Sequence, residues 1–267
     1  MLFRSLRNSQ AIFGLGYLEA VSEEDILALS KWQKTLGLNG RPNYVRDDLN
    51  DRTSIGRFGW KANQPSLKQQ LAAAFLGDIG TTSTVYPTQN CPSIQKDCLS
   101  AKHSGKPELR EEFWEALTFW VSALDAPTPR GRDNASVIRG EKLFDAAKCS
   151  QCHIPQLTTG KSSLLPQISG KTIRPYTDLL LHDMGPELAD GRPDFKAGGR
   201  DWRTPPLWGI GLSKQVNGST NFLHDGRARN LLEAIVWHGG EAAASRDLFA
   251  KFSEEERNDV ISFLGSL

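Results

Sequence analysis

Cys149-Ser150-Gln151-Cys152-His153 carries the most specific chemistry in this 267-residue sequence. Two thiols three positions apart on a helical turn are spaced to add to the two vinyl groups along one porphyrin edge. The histidine that follows then swings under the iron as an axial ligand. The expectation is one covalent haem c, attached through Cys149 and Cys152 and ligated by His153. Zinc held by the same cysteines with histidines is a competing chemistry, but no second closely spaced ligand pair supports it.

The occupant of the other axial position decides what such a haem can do. The chain offers two methionines, Met1 and Met184, and besides His153 the histidines His103, His182, His224 and His238. His238 is the first choice. Asn230 and Glu233 start a helix that runs through Ala234-Ile235-Val236-Trp237-His238 into Gly239-Gly240, a natural stop with apolar neighbours. A histidine simply favoured by the helix C-terminus is the alternative. Met184 is the rival ligand, and it would raise the reduction potential; as a plain core methionine it would do neither. His182 reads as a satisfied loop histidine, and His103 as a solvated one. Arg203, His224 and Arg227 are candidates for holding haem propionates, or else turn and surface residues.

The elements that must position these groups read as mainly α. A helix over 137–147 leads into the cysteine motif, with Gly140 and Phe144 one turn apart. Ser253 and Glu256 form a capping box ahead of an apolar face made by Val260, Ile261, Phe263, Leu264 and Leu267. In c-type cytochromes a first helix crosses a terminal helix beside the haem, and Gly140 would permit that close approach. Residues 157–221, rich in Gly and Pro, are expected to wrap the haem mostly as loops. Upstream, Leu109, Phe113, Leu117, Trp120 and Leu124 predict an amphipathic helix entered at Pro107. Leu67, Leu71, Ala74 and Phe75 predict another over 65–76, with Pro65 in its first turn and Gly77 at its end. No alternation is long enough to predict a sheet. A break over 125–134 divides the chain into 1–130 and 131–267.

Lys and Arg (32) nearly balance Asp and Glu (31), so the net charge is +1 and no global field points to nucleic acid or an anionic membrane. No apolar run approaches the roughly 20 residues of a membrane span. The first residues hold two arginines but no apolar signal-peptide core, whereas haem attachment through cysteines usually takes place outside the cytoplasm. The expected location is periplasmic, with the export signal outside these residues. Cys91 and Cys98, in a loop-forming stretch, would form a small-loop disulfide in such a compartment, or else remain unpaired thiols.

Several segments, in order, resemble the bacterial di-haem oxidoreductases, also described as thiol oxidoreductases. They are Phe13-Gly14-Leu15-Gly16-Tyr17-Leu18-Glu19-Ala20, Gly56-Arg57-Phe58-Gly59-Trp60-Lys61-Ala62, Asp78-Ile79-Gly80-Thr81-Thr82 and Leu181-His182-Asp183-Met184-Gly185. Trp202-Arg203-Thr204-Pro205-Pro206-Leu207-Trp208-Gly209, Leu223-His224-Asp225-Gly226-Arg227-Ala228 and Trp237-His238-Gly239-Gly240-Glu241-Ala242 complete the set. The resemblance extends over nearly the whole chain.

That family is similar to the di-haem cytochrome c peroxidases, whose two cytochrome-like domains divide electron delivery from reaction with peroxide. The resemblance implies a cytochrome c-like haem domain over 131–267, preceded at 1–130 by part of a second, peroxidase-like domain. It matches His224-Asp225-Gly226 to the turn before the distal ligand, and so implies bis-His ligation by His153 and His238 where relatives use Met or Tyr. Trp60 would match a tryptophan carrying electrons between haems, and Asp78 an acidic residue acting on peroxide. The departure is that this chain has one Cys-x-x-Cys-His. A second haem is expected only if a longer protein carries an upstream motif. Two functions follow: the electron-transfer part of a peroxidase-like di-haem oxidoreductase, or a mono-haem electron carrier without chemistry of its own. Either would need a redox partner protein or a small electron donor. The sequence does not set the oligomeric state.

Overall fold

Two short helices open the computed structural model, which describes residues 5–102 and 107–267: α1 (Leu15–Glu19) and α2 (Glu23–Thr35). Ser22 caps α2 by accepting from the Asp25 amide, and Glu23, Glu24 and Asp25 suit the positive end of the helix. An antiparallel hairpin follows, β1 (Tyr44–Asp47) against β2 (Arg52–Ile55), with Tyr44 opposite Ile55. The sequence reading missed it because charges interrupt the alternation. Asp47 is nevertheless buried, where its carboxylate accepts from Asn50 and Ser54.

Helix α3 (Leu67–Ile79) starts at Ser66, whose hydroxyl accepts from the Gln69 amide, not at Pro65. It runs through Gly77 and stops at Gly80, which takes φ 69° while the Gly80 and Thr81 amides close on Leu76 and Phe75. That closure needs a left-handed residue, so the helix ends where glycine can adopt one. After α4 (Lys96–Ser100) comes α5 (Glu111–Ala123). Its buried face is Trp114, Thr118 and Val121, while Phe113 and Trp120 of the expected stripe are about half exposed. Trp114 takes the interior place, its indole N–H donating to the Lys68 carbonyl.

The second half begins with α6 (Ala135–Ala146), capped by Asn134. Short antiparallel pairs follow: β3 (Leu157–Thr158) with β4 (Thr172–Ile173), and β5 (Leu181–Asp183) with β6 (Asp201–Arg203). The stretch expected to be loops therefore carries two small ladders. Four helices finish the chain: α7 (Ser213–Asn217), α8 (Leu231–Val236), α9 (Ala243–Ala250) and α10 (Glu254–Ser266). The expected Ser253–Glu256 capping box is present. Helices α6 and α10 cross at Gly140, where an added Cβ would collide with the Asp259 carbonyl oxygen and stand 2.8 Å from Phe263 Cβ. Phe144, Tyr176, Phe249, Val260, Phe263 and Leu264 form the core around this crossing.

The largest core cluster draws from both sides of the 125–134 break. Leu18, Ile26, Ile55 and Leu67 meet Leu157, Ile173, Leu179, Leu180 and Trp208. Residues 5–8 lie across later segments as a strap. Ser5 and Arg7 bind Asp190 at 2.8 and 2.7 Å, the Asn8 amide donates to the His224 carbonyl, and the Trp60 indole donates to the Asn8 carbonyl. Among the described residues no helix is long and apolar enough to cross a membrane.

Candidate functional site

Lys148, in the left-handed region at φ 63°, breaks the chain out of α6 into a 3-10 turn, Cys149–Gln151. The turn is closed by the His153 amide donating to the Cys149 carbonyl at 3.0 Å. Both thiols are free, Cys149 against the second core and Cys152 beside His182. Burial pushes the Cys149 thiol up to about 12, with its neighbour Cys152 adding to the effect. Burial likewise raises Cys152, so neither thiol is held as a thiolate.

His153 Nδ1 donates to the Tyr176 carbonyl at 2.9 Å, and His238 Nδ1 donates to the Ala234 carbonyl at 2.7 Å. A carbonyl can only accept, so in each ring the proton sits on Nδ1 and the lone pair on Nε2. Burial lowers both pKa values; for His153 the neighbouring His238 lowers it further, to about 4. Two neutral imidazoles thus lie with centroids 6.4 Å apart and planes tilted by 49°. A metal bonded to both at about 2 Å, with the ring radii added, requires a centroid separation of about 6 Å. The residues present fit an iron between them. Helix α8 positions the second ring: Asn230 caps it by accepting from the Glu233 amide, and His238 follows its last turn.

Arg203 supplies a buried cation. Its Nε donates to the Gly59 carbonyl at 2.9 Å, and among the described residues no carboxylate forms an ion pair with it. Burial lowers its pKa to about 10, partly offset by Asp178. A buried guanidinium in this condition suits an anionic group of a ligand.

The other expected residues have varied surroundings. Arg227 pairs with Asp225 at 2.7 Å, donates to the Glu187 carbonyl and lies 4.9 Å from the Trp237 ring centroid. His224 is buried and stacks on Trp202 at 3.7 Å. Trp60 meets that stack edge-on, at 6.5 Å from Trp202 and 6.4 Å from His224. The Met184 carbonyl lies 2.9 Å from where a Cβ on Gly239 would stand, so its backbone abuts the turn after His238. Asp78 is exposed on the last turn of α3, without enclosed surroundings to tune an acid. His103 and Met1 lie outside the described residues.

Sequence reasoning treated His182 as a satisfied histidine in a loop; it is satisfied, but on β5 and between two carboxylates. Nε2 lies 2.8 Å from Asp178 and Nδ1 lies 3.1 Å from Glu241. Neither acid was singled out, although Asp178 and His182 are four residues apart. Lys61 was likewise missed as a charge: it is fully buried, 3.0 Å from Asp190 and 4.3 Å from the Trp202 ring centroid. Cys91 and Cys98 are joined in a disulfide.

No curated protein matches the chain. Among solved structures, hydrazine synthase from Kuenenia stuttgartiensis is similar at 18% identity, over 61% of this chain and 57% of that one, with a TM-score of 0.38. The model of the family described as "Di-haem oxidoreductase, putative peroxidase" matches residues 2–267. Matched almost from end to end, the chain belongs to this haem-dependent family of oxidoreductases.

Proposed function

We propose that this chain is the electron-transfer part of a peroxidase-like di-haem oxidoreductase, carrying one haem c on Cys149 and Cys152 between His153 and His238. The observation that supports it most is the pair of imidazoles, 6.4 Å apart, with each Nδ1 tied to a backbone carbonyl and each Nε2 left free to ligate. Bound there, a haem supplies a one-electron iron couple. His153 and His238 would hold the iron, and with both imidazoles bound they would keep water and substrate from it. The carbonyls of Tyr176 and Ala234 fix each ring's tautomer and aim. Arg203 would hold a haem propionate, which would offset the cost of its own burial. Arg227 and His224 support the site indirectly, through Asp225 and Trp202.

In this reading residues 131–267 form a cytochrome c-like haem domain, and 1–130 supply part of the partner domain's frame. Trp60, edge-on to Trp202 and His224, is assigned the role of carrying electrons toward a second centre. Asp78 receives no proton-donor role, because it is solvent-exposed. The Cys91–Cys98 disulfide and thioether attachment both suit the periplasm. A redox protein or a small donor supplies the electrons. One observation favours a second reading, a mono-haem carrier without catalysis: two imidazoles placed to ligate would leave an iron no open position.

The test is ferric EPR of the haem-loaded chain beside His238→Ala, with and without peroxide. A low-spin signal indifferent to peroxide, converted to high-spin by the substitution, is the expected result. A high-spin parent signal consumed by peroxide would overturn the ligation and make this the reactive haem. Peroxide turnover at an enzymatic rate by this chain alone would reject the carrier reading.

A further inference from the structure

His182 and its two carboxylates press against the Cys-x-x-Cys-His loop, yet the ligation proposed above does not use them. His182 Nε2 is 2.8 Å from Asp178 Oδ2, and Nδ1 is 3.1 Å from Glu241 Oε2. Only a doubly protonated imidazole can donate to both, so the trio holds two anions around one cation. Burial opposes charge on His182, but Asp178 and Glu241 outweigh it and hold its pKa well above the usual value. The remaining acceptors are filled. Asp178 accepts from the Leu180 amide and Gln33, and Glu241 from the amides of Asn39 and Asp183.

This network touches the haem-binding loop twice. Gln33 Nε2 also donates to the Gln151 carbonyl at 2.7 Å, and His182 Nδ1 lies 3.8 Å from Cys152 Sγ. At its other end, Glu241 sits in the 3-10 turn Gly240–Ala242, just after His238. The charges therefore span the site from the attachment loop to the turn behind the second imidazole. Cys152, Asp178 and His182 have donor atoms within 4.8 Å of one another, as a cation site would. However, both nitrogens of His182 already face carboxylates, leaving none for a metal. Stability is a weak reason for such a group, because buried ions cost about as much to desolvate as they return in attraction.

We infer that Asp178, His182 and Glu241 form a potential-setting network, in which the Glu241 carboxylate favours the oxidised haem and keeps its reduction potential low. The inference rests on the haem reading above. A ferric haem carries one more positive charge than a ferrous one, so a fixed anion in the turn that follows His238 stabilises the ferric state. Glu241 is a positioning and tuning residue that does not touch the reacting atoms.

The experiment is a spectroelectrochemical titration of the haem-loaded chain with Glu241→Gln, Glu241→Asp and Asp51→Asn. Asp51, with its side chain 84% exposed on the hairpin turn, controls for a distant charge. At the parent's midpoint, Glu241→Gln is expected to raise the ratio of reduced to oxidised haem about tenfold, equivalent to about 59 mV for one electron. Glu241→Asp keeps the charge, so it and Asp51→Asn are expected to stay within about twofold. A Glu241→Gln ratio within twofold of the parent, or a Glu241→Asp shift as large as that of Gln, would overturn the inference. The parent's EPR separates the two levels. A low-spin signal with no shift in Glu241→Gln defeats only the network, whereas a parent chain that takes up no haem defeats the function and the network together.

Discussion

Replacing Gly140 with alanine pits two opposing effects against each other. Alanine favours a helix over glycine by about 1 kcal/mol, so a free site would be stabilised. Here the new Cβ would overlap the Asp259 carbonyl oxygen and stand 2.6 Å from its carbon and 2.8 Å from Phe263 Cβ. Carbon atoms pack at about 3.5–4.0 Å, so α6 and α10 would have to part by roughly 1 Å. No rotamer change relieves the overlap, because the obstructing oxygen and carbon belong to backbone. Separation would also loosen the Phe144–Phe263 contact, whose centroids are 5.4 Å apart. Overpacking costs about 1–3 kcal/mol, and a backbone obstruction belongs at the upper end. Subtracting the propensity gain leaves a net loss of about 2 kcal/mol, or about 4–8 °C in Tm for a chain of this size. Thermal unfolding followed by circular dichroism at 222 nm measures it. Gly77→Ala is the internal control: it lies within α3 with nothing within 4 Å of the added Cβ, and should gain up to about 1 kcal/mol. A Gly140→Ala protein as stable as the parent, or a Gly77→Ala protein losing as much, would refute the helix-crossing argument.

Asp190 links the strap to acid stability. Burial alone would raise its pKa, but Arg7, Ser5, the Arg192 amide and Lys61 hold it well below the usual carboxylate range. A depressed folded value gives stability that is fully present above the unfolded pKa of about 3.9 and lost as the pH falls toward the folded one. Asp190→Asn should therefore lower the urea midpoint at pH 7, and the gap from the parent should narrow below about pH 4; a gap independent of pH would contradict this. The Cys91–Cys98 bridge should behave locally, because residues 91–101 are almost entirely exposed. Reduction is expected to open Lys96 to trypsin while the main unfolding transition moves by less than about 2 °C, and a larger global shift would show that the segment is coupled to the core.

The second half could be read in most detail from sequence, because its signals are local. The cysteine spacing, the Asn230 cap, the Ser253–Glu256 box and the glycine at a helix crossing each lie within a few residues of what they determine. The face of α5 could not be read in this way. Phe113 and Trp114 are adjacent and both aromatic, and the choice between them depends on the distant Lys68 carbonyl that receives the Trp114 N–H. The carboxylates around His182 escaped for a similar reason. Glu241 lies 59 positions from His182, and the turn after His238 is what brings it there. Lys61 and Arg203 are charged residues inside, and partners distant in sequence, Asp190 and the Gly59 carbonyl, account for their burial.

The strap over residues 5–8 bears on the order in which the molecule folds. Ser5 and Arg7 reach Asp190 across 185 and 183 positions, and Asn8 closes on segments near residue 221 across more than 200. These partners are distant in sequence, so residues 5–8 seat only once the segments around Asp190 and Asn221 are in place. Until then Lys61 lacks Asp190, and Trp60 lacks the Asn8 carbonyl that receives its indole N–H. Residues 5–8 are thus among the last to dock, and the aromatic stack beneath them stays open until they do.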